Sequence, residues 1–405
     1  MSATAVIIQY QDAFDTFCDR RLVQSMYSEC DELMDRVLLT LHGEEHARRR
    51  AMELKLFRRD FARHYEKEVF PATLAATLSP YLERGRMDLP EFGCRVNINL
   101  SADIAGIDRD PESRDQTECL LGIVRKFGEG ATLFHSTRNK SEVRREVAEA
   151  LALMDQRFLQ PSRARREAIL REVAEGNAPD EDLPRDLLTV LLANREEQGM
   201  DDAMIRREVA FFMQAASHSS ANSMVHAFHE ITRWCNEHPE DRERIERDQL
   251  FLQRCVHESL RLHPASPVAW RVAECPFALV TGSTVQAGDS VMIDIETANR
   301  EAALFGDDAD KFNPHRELVG RTPAYGLTFG VGVHTCFGRD LAGGAPPKSD
   351  SAPELHHYGT VTSLLRNLFA HDVRPDPESS PVLDSATQRS NWASYQVLVD
   401  ENKTL

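Results

Sequence analysis

Residues 329–338 (FGVGVHTCFG) constrain this chain more than any other stretch, because they place one cysteine in a glycine-rich loop. Gly330 and Gly332 allow positive φ and a close approach to a flat group, which a side chain would block. A helix is predicted to begin just beyond the loop. A thiolate at the start of a helix is favoured by the helix dipole and by the unpaired N–H groups there. Cys336 can therefore ligate a metal.

The spacing Phe-Gly-x-Gly-x-His-x-Cys-x-Gly resembles the haem-ligand loop of the cytochrome P450 family, in which the cysteine thiolate is the axial ligand of haem iron. Thiolate ligation favours cleavage of the O–O bond. Taken alone, Cys336 is more simply an ordinary buried cysteine, since free cysteine is among the most buried residue types. Other motifs of the family follow in the expected order, so the resemblance implies haem b with Cys336 on the iron.

The resemblance also implies the cytochrome P450 fold, mainly α with a small β region, as a single haem-thiolate domain over residues 1–405. Glycine and proline between about 343 and 353 interrupt the helix after the cysteine and predict an exposed insertion. Residues 5–22 predict a strand and then a helix with Phe14 and Phe17 on its apolar face. In the family these elements follow a first helix and two strands, so the resemblance implies a shortened N-terminus.

Composition argues against several classes of protein. The net charge of −17 argues against a general nucleic-acid binder, which needs clustered lysine and arginine. The first residues lack the basic and apolar regions of a secretory signal or membrane anchor, so we expect a cytoplasmic protein. Eight scattered cysteines without a CxxC pair favour reduced thiols over a disulfide framework or a zinc site.

His46 and Arg50 are four residues apart and share one face of a predicted helix, so both can reach one acceptor. Without other motifs, a solvated basic face would be the better interpretation. The family places a His-x-x-x-Arg pair here on the haem propionates. The resemblance likewise assigns Arg271 and His334 to the propionates, which gives four donors for two carboxylates.

Residues 209–225 carry one potentially ionisable group, His218, and predict an interior helix. The resemblance aligns this helix with the one that crosses the haem face. Ala215 and Ala216 would leave room for dioxygen and line the substrate pocket. His218 and Ser219 stand where the family usually has an acid and a threonine.

This departure leaves three interpretations of His218 open. An alcohol beside a group that titrates near neutrality can deliver protons, so Ser219 and His218 are the candidate catalytic residues. His218 can equally be a hydrogen-bonded core histidine. The exchange can also indicate a haem-thiolate enzyme of another type, such as a peroxygenase or an isomerase.

Glu258 and Arg261 are three residues apart on a predicted helix and can form a charge-assisted pair. The motif is weak alone, but its place between the interior helix and the cysteine loop matches the structural pair of the family. Its third member is an arginine, for which Arg316 is the candidate, although Lys311 stands where many relatives have arginine.

Short alternating runs over 268–295 predict strands joined by turns. The resemblance directs Val268 and Ala269 towards the substrate. Residues 382–399 resemble a closing hairpin whose turn would bring Trp392 to the substrate.

The resemblance implies a monooxygenase that inserts one atom of dioxygen into a small or medium apolar molecule. The chain shows no flavin or iron–sulfur module, so electrons from NAD(P)H would arrive through a separate ferredoxin and its reductase. Arg48, Lys55 and Arg59 form a basic stripe that suits an acidic electron-transfer partner. A non-catalytic haem-binding or sensory protein is the remaining alternative.

Overall fold

A computed structural model describes residues 5–57, 59–110, 113–347 and 352–399. This part of the chain is mainly helical with small sheets, which confirms the predicted fold class. The α-helices are α1 Tyr10–Cys18, α2 Asp31–Met34, α3 Gly43–Glu53, α4 Arg59–His64, α5 Phe70–Leu82, α6 Leu89–Ala105, α7 Arg114–Ala131, α8 Lys140–Met154, α9 Gln160–Ala174, α10 Leu187–Ala193, α11 Asp202–Glu237, α12 Pro239–Arg247, α13 Gln249–Leu262, α14 Ile295–Ala298, α15 Ala302–Phe305, α16 Arg339–Gly343 and α17 Thr360–Ala370. The strands are β1 Ala5–Ile7, β2 Leu22–Gln24, β3 Arg86–Asp88, β4 Val268–Ala273, β5 Phe277–Ala278, β6 Thr284–Val285, β7 Ser290–Asp294, β8 Arg374–Pro375, β9 Val382–Leu383, β10 Trp392–Ser394 and β11 Gln396–Leu398.

Helix α11 is the centre of the fold. Its first turn is capped by Asp201, whose carboxylate accepts the N–H of Met204 at 2.8 Å. The helix packs along α6 and also contacts α7, α13 and α17. Because neighbours surround it, side chains on nearly all of its faces are buried. The predicted interior helix over 209–225 is confirmed, and it continues well beyond both ends of that range.

The largest sheet has the order β1-β7-β4-β2, in which β1 runs parallel to β7 and the other pairs are antiparallel. Helix α1 covers the sheet with Ala13 and Phe17, which are buried. The predicted strand and helix at 5–22 are confirmed. Phe14, however, is 39% exposed, because it lies off the buried face of α1. The sheet matters for function because β4 carries Arg271.

The closing hairpin differs from its prediction. Strands β9 and β10 pair antiparallel, whereas β11 pairs with β3 and β8 in another sheet. Trp392 lies in β10 opposite Leu383, not in the turn. The connecting loop therefore spans residues 384–391, and its tip is nearer to Arg389 than to Trp392.

The predicted exposed insertion begins later than expected. Gly343 and Gly344 are buried, and the side-chain amide of Gln253 donates to the carbonyl of Gly343 at 2.9 Å. Gly344 has a φ of 75°, and a Cβ there would lie 2.4 Å from the backbone of Tyr358. Exposure starts at Pro346, and residues 348–351 lie outside the described chain.

Candidate active site

Cys336 follows a 3-10 turn, Gly332–His334, and precedes α16. Its N–H donates to the carbonyl of Phe329 at 2.9 Å, which fixes the loop. Protein atoms surround the Cys336 side chain, yet its surface is accessible because it lines a cavity. Burial raises the pKa of the Cys336 thiol, while the backbone N–H groups of Gly338 and Arg339 and the nearby guanidinium of Arg50 lower it. A bound metal ion would add the missing positive charge and deprotonate the thiol.

The loop glycines have different roles. Gly330 and Gly332 have φ values of 61° and 76°, as the sequence indicated. Gly330 and Gly338 line the cavity. Gly332 does not: a Cβ on it would lie 2.9 Å from the carbonyl oxygen of Phe17. The expectation that Gly332 clears space for a flat group is therefore wrong, because its close neighbour is the end of α1.

The cavity of about 340 Å³ opens in front of Cys336 between α11, α3, β4 and the cysteine loop. Most of the predicted site residues line it, namely His46, Arg50, Ala215, Ala216, His218, Ser219, Ala269, Arg271, His334 and Cys336. A larger cleft of about 750 Å³ lies elsewhere, among charged side chains that include Arg84 and Glu91, and contains none of these residues. The cavity at Cys336 is therefore the candidate site.

Two predicted pocket residues do not line this cavity. Alternate side chains of a strand point to opposite faces, so β4 turns Ala269 and Arg271 to the cavity and Val268 away from it. Trp392 packs instead against the rings of His229 and Tyr395, with centroids 5.3 and 5.6 Å away. The structure therefore does not bring Val268 and Trp392 to the cavity with the other predicted residues.

Side-chain donors without acceptors gather beside the cysteine loop. The rings of His46 and His334 lie 4.4 Å apart, and Nε2 of His46 is buried without a hydrogen-bond partner. Burial, assisted by neighbouring cations, lowers the pKa of His46 to about 4 and that of His334 to about 3. Both rings are therefore neutral at pH 7, and each can donate one N–H.

Two arginines complete this cluster. Arg50 donates from Nη2 to the carbonyl of Thr335 at 2.7 Å and stacks over Phe337 at 4.0 Å. Arg271 donates from Nη1 to Gln24 and to the carbonyl of Trp270, and burial lowers its pKa to about 10. Among the described residues that line the cavity there is no aspartate or glutamate. The cluster therefore lacks anions of its own and suits a ligand that brings carboxylates.

Comparison with known proteins agrees with this geometry. The family model described as Cytochrome P450 matches residues 132–343, which is more than half of the chain. The chain belongs to the cytochrome P450 family. It is accordingly an oxidoreductase of the P450 monooxygenase class, and the family implies a haem cofactor. The cavity fits that group, because it combines a cysteine sulfur, a glycine-lined loop and unpaired donors for two propionates.

Individual P450 relatives are distant. Pulcherriminic acid synthase of Bacillus subtilis is 25% identical over 83% of this chain and 76% of its own. Cyclooctat-9-en-7-ol 5-monooxygenase of Streptomyces melanosporofaciens is 30% identical over 43% of this chain and 41% of its own. The crystal structure of CalO2 superposes with a TM-score of 0.72 at 19% identity, over 98% of this chain and 90% of that one. None of the helices described is long and apolar enough to cross a membrane.

On the α11 side of this P450 cavity, His218 and Ser219 do not hydrogen-bond to each other within the described chain. Ser219 donates its hydroxyl proton to the carbonyl of Ala215 at 2.7 Å. Burial, followed by the charge of Arg389, lowers the pKa of His218 to about 3. This lowered pKa runs against the expectation that His218 titrates near neutrality, because burial and the nearby charge of Arg389 both disfavour the protonated ring.

Glu258, Arg261 and Arg316 form a buried ionic network outside the cavity. Glu258 accepts from Nε and Nη2 of Arg261 at 2.8 and 2.7 Å and from Nε of Arg316 at 3.1 Å. Lys311 contributes only its carbonyl, which accepts from both arginines. Arg316, and not Lys311, therefore supplies the third side chain of this network.

Arg389 is a charged residue of the cavity that the sequence did not indicate. It lies in the 384–391 loop, lines the cavity and is only 9% exposed. Its sequence context, ATQRSN, is polar and matches no motif or hydrophobic period. Only the packing of the loop onto the helical core reveals it.

Proposed function

We propose that this P450 binds haem b with Cys336 on the iron and inserts one atom of dioxygen into a small or medium apolar organic molecule. The observation that carries the proposal is the Cys336 sulfur, which opens into a cavity rich in unpaired donors. Haem with a thiolate ligand supplies the oxygen activation. The residues of the chain hold the cofactor, shape the cavity and position protons.

Four side chains are proposed to hold the two propionates: His46, Arg50, Arg271 and His334. Their unused N–H groups need acceptors, since an unsatisfied buried donor costs about 1–3 kcal/mol. Two carboxylates would supply those acceptors and would also compensate the charges of the two arginines. We expect the pKa values of both histidines to rise when carboxylates lie beside them, because nearby negative charge favours the protonated ring.

The substrate is proposed to lie against α11 and β4. Ala215, Ala216 and Ala269 have small side chains and leave space, while Phe211 and Phe212 supply apolar walls. Such a lining favours apolar molecules, since each buried CH₂ contributes about 0.8 kcal/mol.

Ser219 is proposed to hold a transferable proton on Oγ, and neutral His218 is proposed to position water beside it. The Ser219 hydroxyl donates to the helix carbonyl of Ala215, so rotation about its Cβ–Oγ bond would redirect that proton into the cavity. A neutral imidazole donates from one ring nitrogen and accepts at the other, which suits it to orient water.

Electrons are proposed to come from NAD(P)H through a separate ferredoxin and its reductase. The chain surface beside the cysteine loop supports docking of an acidic partner, since it exposes Arg48, Lys55, Leu54 and Val333. The side chain of Arg59, the third member of the predicted stripe, lies outside the described part of the chain. Lys55→Glu should raise the KM for ferredoxin, and added salt should reduce the difference from wild type.

The haem proposal is tested by the absorption spectrum of the reduced protein under carbon monoxide. Wild type should show the band of a thiolate-ligated complex. Cys336→Ala should lose that band and the activity, whereas Cys275→Ala, a change at an exposed cysteine, should keep both. A band that survives in Cys336→Ala would disprove the assigned ligand.

The reaction and the proton role need a second experiment, with a substrate identified by its shift of the haem spin state. Oxygen-18 gas should label the product; label-free product would instead indicate a peroxygenase or an isomerase. Ser219→Ala should lower the ratio of product to NAD(P)H consumed. An unchanged ratio would remove Ser219 from proton delivery.

A further inference from the structure

Arg389 is a buried cation that the proposed haem site does not use. The loop that carries it is fastened to the turn after α7. The N–H of Gln388 donates to the carbonyl of His135 at 2.9 Å, and the N–H of Thr137 donates to the carbonyl of Ala386 at 3.1 Å. These bonds hold Arg389 in place before any ligand arrives, which lowers the ordering cost of binding.

The guanidinium of Arg389 is only partly satisfied. Nη1 donates to the carbonyl of Ala265 at 2.8 Å. Nε is buried without a partner, and Nη2 makes no hydrogen bond to the described residues. The unused Nε–Nη2 edge is the one that Arg261 directs at the carboxylate of Glu258. That edge matches the two oxygens of a carboxylate.

Hydrogen bonds place Arg389 apart from the proposed propionate donors. Arg50 donates to the carbonyl of Thr335 in the cysteine loop, whereas Arg389 donates to the carbonyl of Ala265, just before β4. The pKa of His218 is lowered by burial and then by Arg389. Arg389 also lowers the pKa of His135, after burial. Arg389 thus acts on the α11 side of the cavity, whereas Arg50 and Arg271 act beside the cysteine loop.

The charge balance of the cavity also favours an anionic ligand at Arg389. Three arginines line it, Arg50, Arg271 and Arg389, and none of the described lining residues is an acid. Two propionates would compensate two of the three charges. The third charge remains in an enclosed place, where a carboxylate bound to it forms a strong, charge-assisted contact.

We propose that Arg389 binds the carboxylate of the organic substrate, so that the substrates of this enzyme are apolar carboxylic acids. The carbon skeleton would lie in the same cavity, whose apolar lining includes Leu100, Ile104 and Phe211. The inference rests on the proposed function, because it takes this cavity as the one that holds haem and receives substrate.

The test is calorimetric binding to the haem-loaded protein at pH 7.5, with three acids and their carboxamides: decanoate, naphthalene-2-carboxylate and 4-phenylbutyrate. Each pair has nearly the same shape and differs in charge. At least one acid should bind wild type about tenfold to a hundredfold more tightly than its amide. Arg389→Gln should remove that preference, and Arg389→Met, of similar length, should do so if the first variant does not fold.

Three results would overturn the inference. No acid binds wild type more tightly than its amide, or the preference persists in both variants, or the variants lose haem, which would make Arg389 a propionate donor. The carbon monoxide spectrum is recorded on the same samples. A wild type without the thiolate band refutes the proposed function, whereas a normal band without acid preference refutes only the role of Arg389.

Discussion

Two sets of buried arginines in this P450 differ in what they touch. Arg261 has all of its guanidinium nitrogens bonded, to Glu258 and to the carbonyls of Asn299, Ala309 and Lys311. Arg271 and Arg389 are buried to a similar degree, yet each donates only from Nη1. A buried charge that is fully paired holds the fold together. One that lacks an anion would gain most from a ligand that brings the opposite charge.

The largest expected effect comes from breaking the buried ion pair of Glu258 and Arg261. Glu258→Ala leaves Arg261 buried without its anion and deprives Arg316 of one carboxylate. The free energy of unfolding should fall by about 3–5 kcal/mol, as is usual when one member of a buried pair is removed. Urea denaturation followed by circular dichroism measures it. Glu149→Ala, which breaks the exposed pair with Arg145, should cost less than about 1 kcal/mol. Equal losses in the two variants would contradict the comparison.

Removing an unpaired arginine should act on haem and not on the fold. Arg271→Leu replaces a buried charge that has no anion, so the haem-free protein should keep its free energy of unfolding within about 1 kcal/mol or gain stability. Its affinity for haem should fall about tenfold to a hundredfold, as one charge-assisted hydrogen bond is lost. Haem transfer to an excess of apomyoglobin gives the affinity. A large loss in the free energy of unfolding with unchanged haem affinity would contradict the role assigned to Arg271.

A smaller effect should appear in the pH dependence of stability. The pKa of His218 is about 3 in the folded protein and near 6.5 when unfolded, so the unfolded chain binds more protons between these values. Stability therefore falls as the pH drops below about 6.5, by roughly 1 kcal/mol per pH unit from this residue.

Urea titrations of the haem-loaded protein at pH 7, 6 and 5 measure this dependence. His218→Asn should make it shallower, and Arg389→Gln should do so partly, because the pKa of His218 rises when the cation is gone. The substitution His371→Asn, outside the cavity, serves as the control. Identical slopes in wild type and His218→Asn would show that the imidazole is not held neutral.

The motif residues could be placed from sequence because local rules govern them. His46 and Arg50 share a helical face by their spacing of four, and Glu258 meets Arg261 by a spacing of three. Strand alternation is equally local: its period of two puts Val268 on the face opposite Ala269 and Arg271. The position of Trp392 cannot be placed from sequence, because the bounds of the hairpin turn depend on pairing with β9.

The sequence by itself determined the cysteine loop and the shared helical face of His46 and Arg50, because spacing within one element fixes which residues share a face. The fold class and the placing of Arg271 and His334 beside that loop came from the resemblance to the P450 family. Tertiary structure alone decided the ionisation of His218, the role of Gly332 and the presence of Arg389 in the cavity. These depend on contacts between segments far apart in the chain: α11 with the 384–391 loop, the cysteine loop with the end of α1. Desolvation and charge proximity act through space, so no local pattern encodes them.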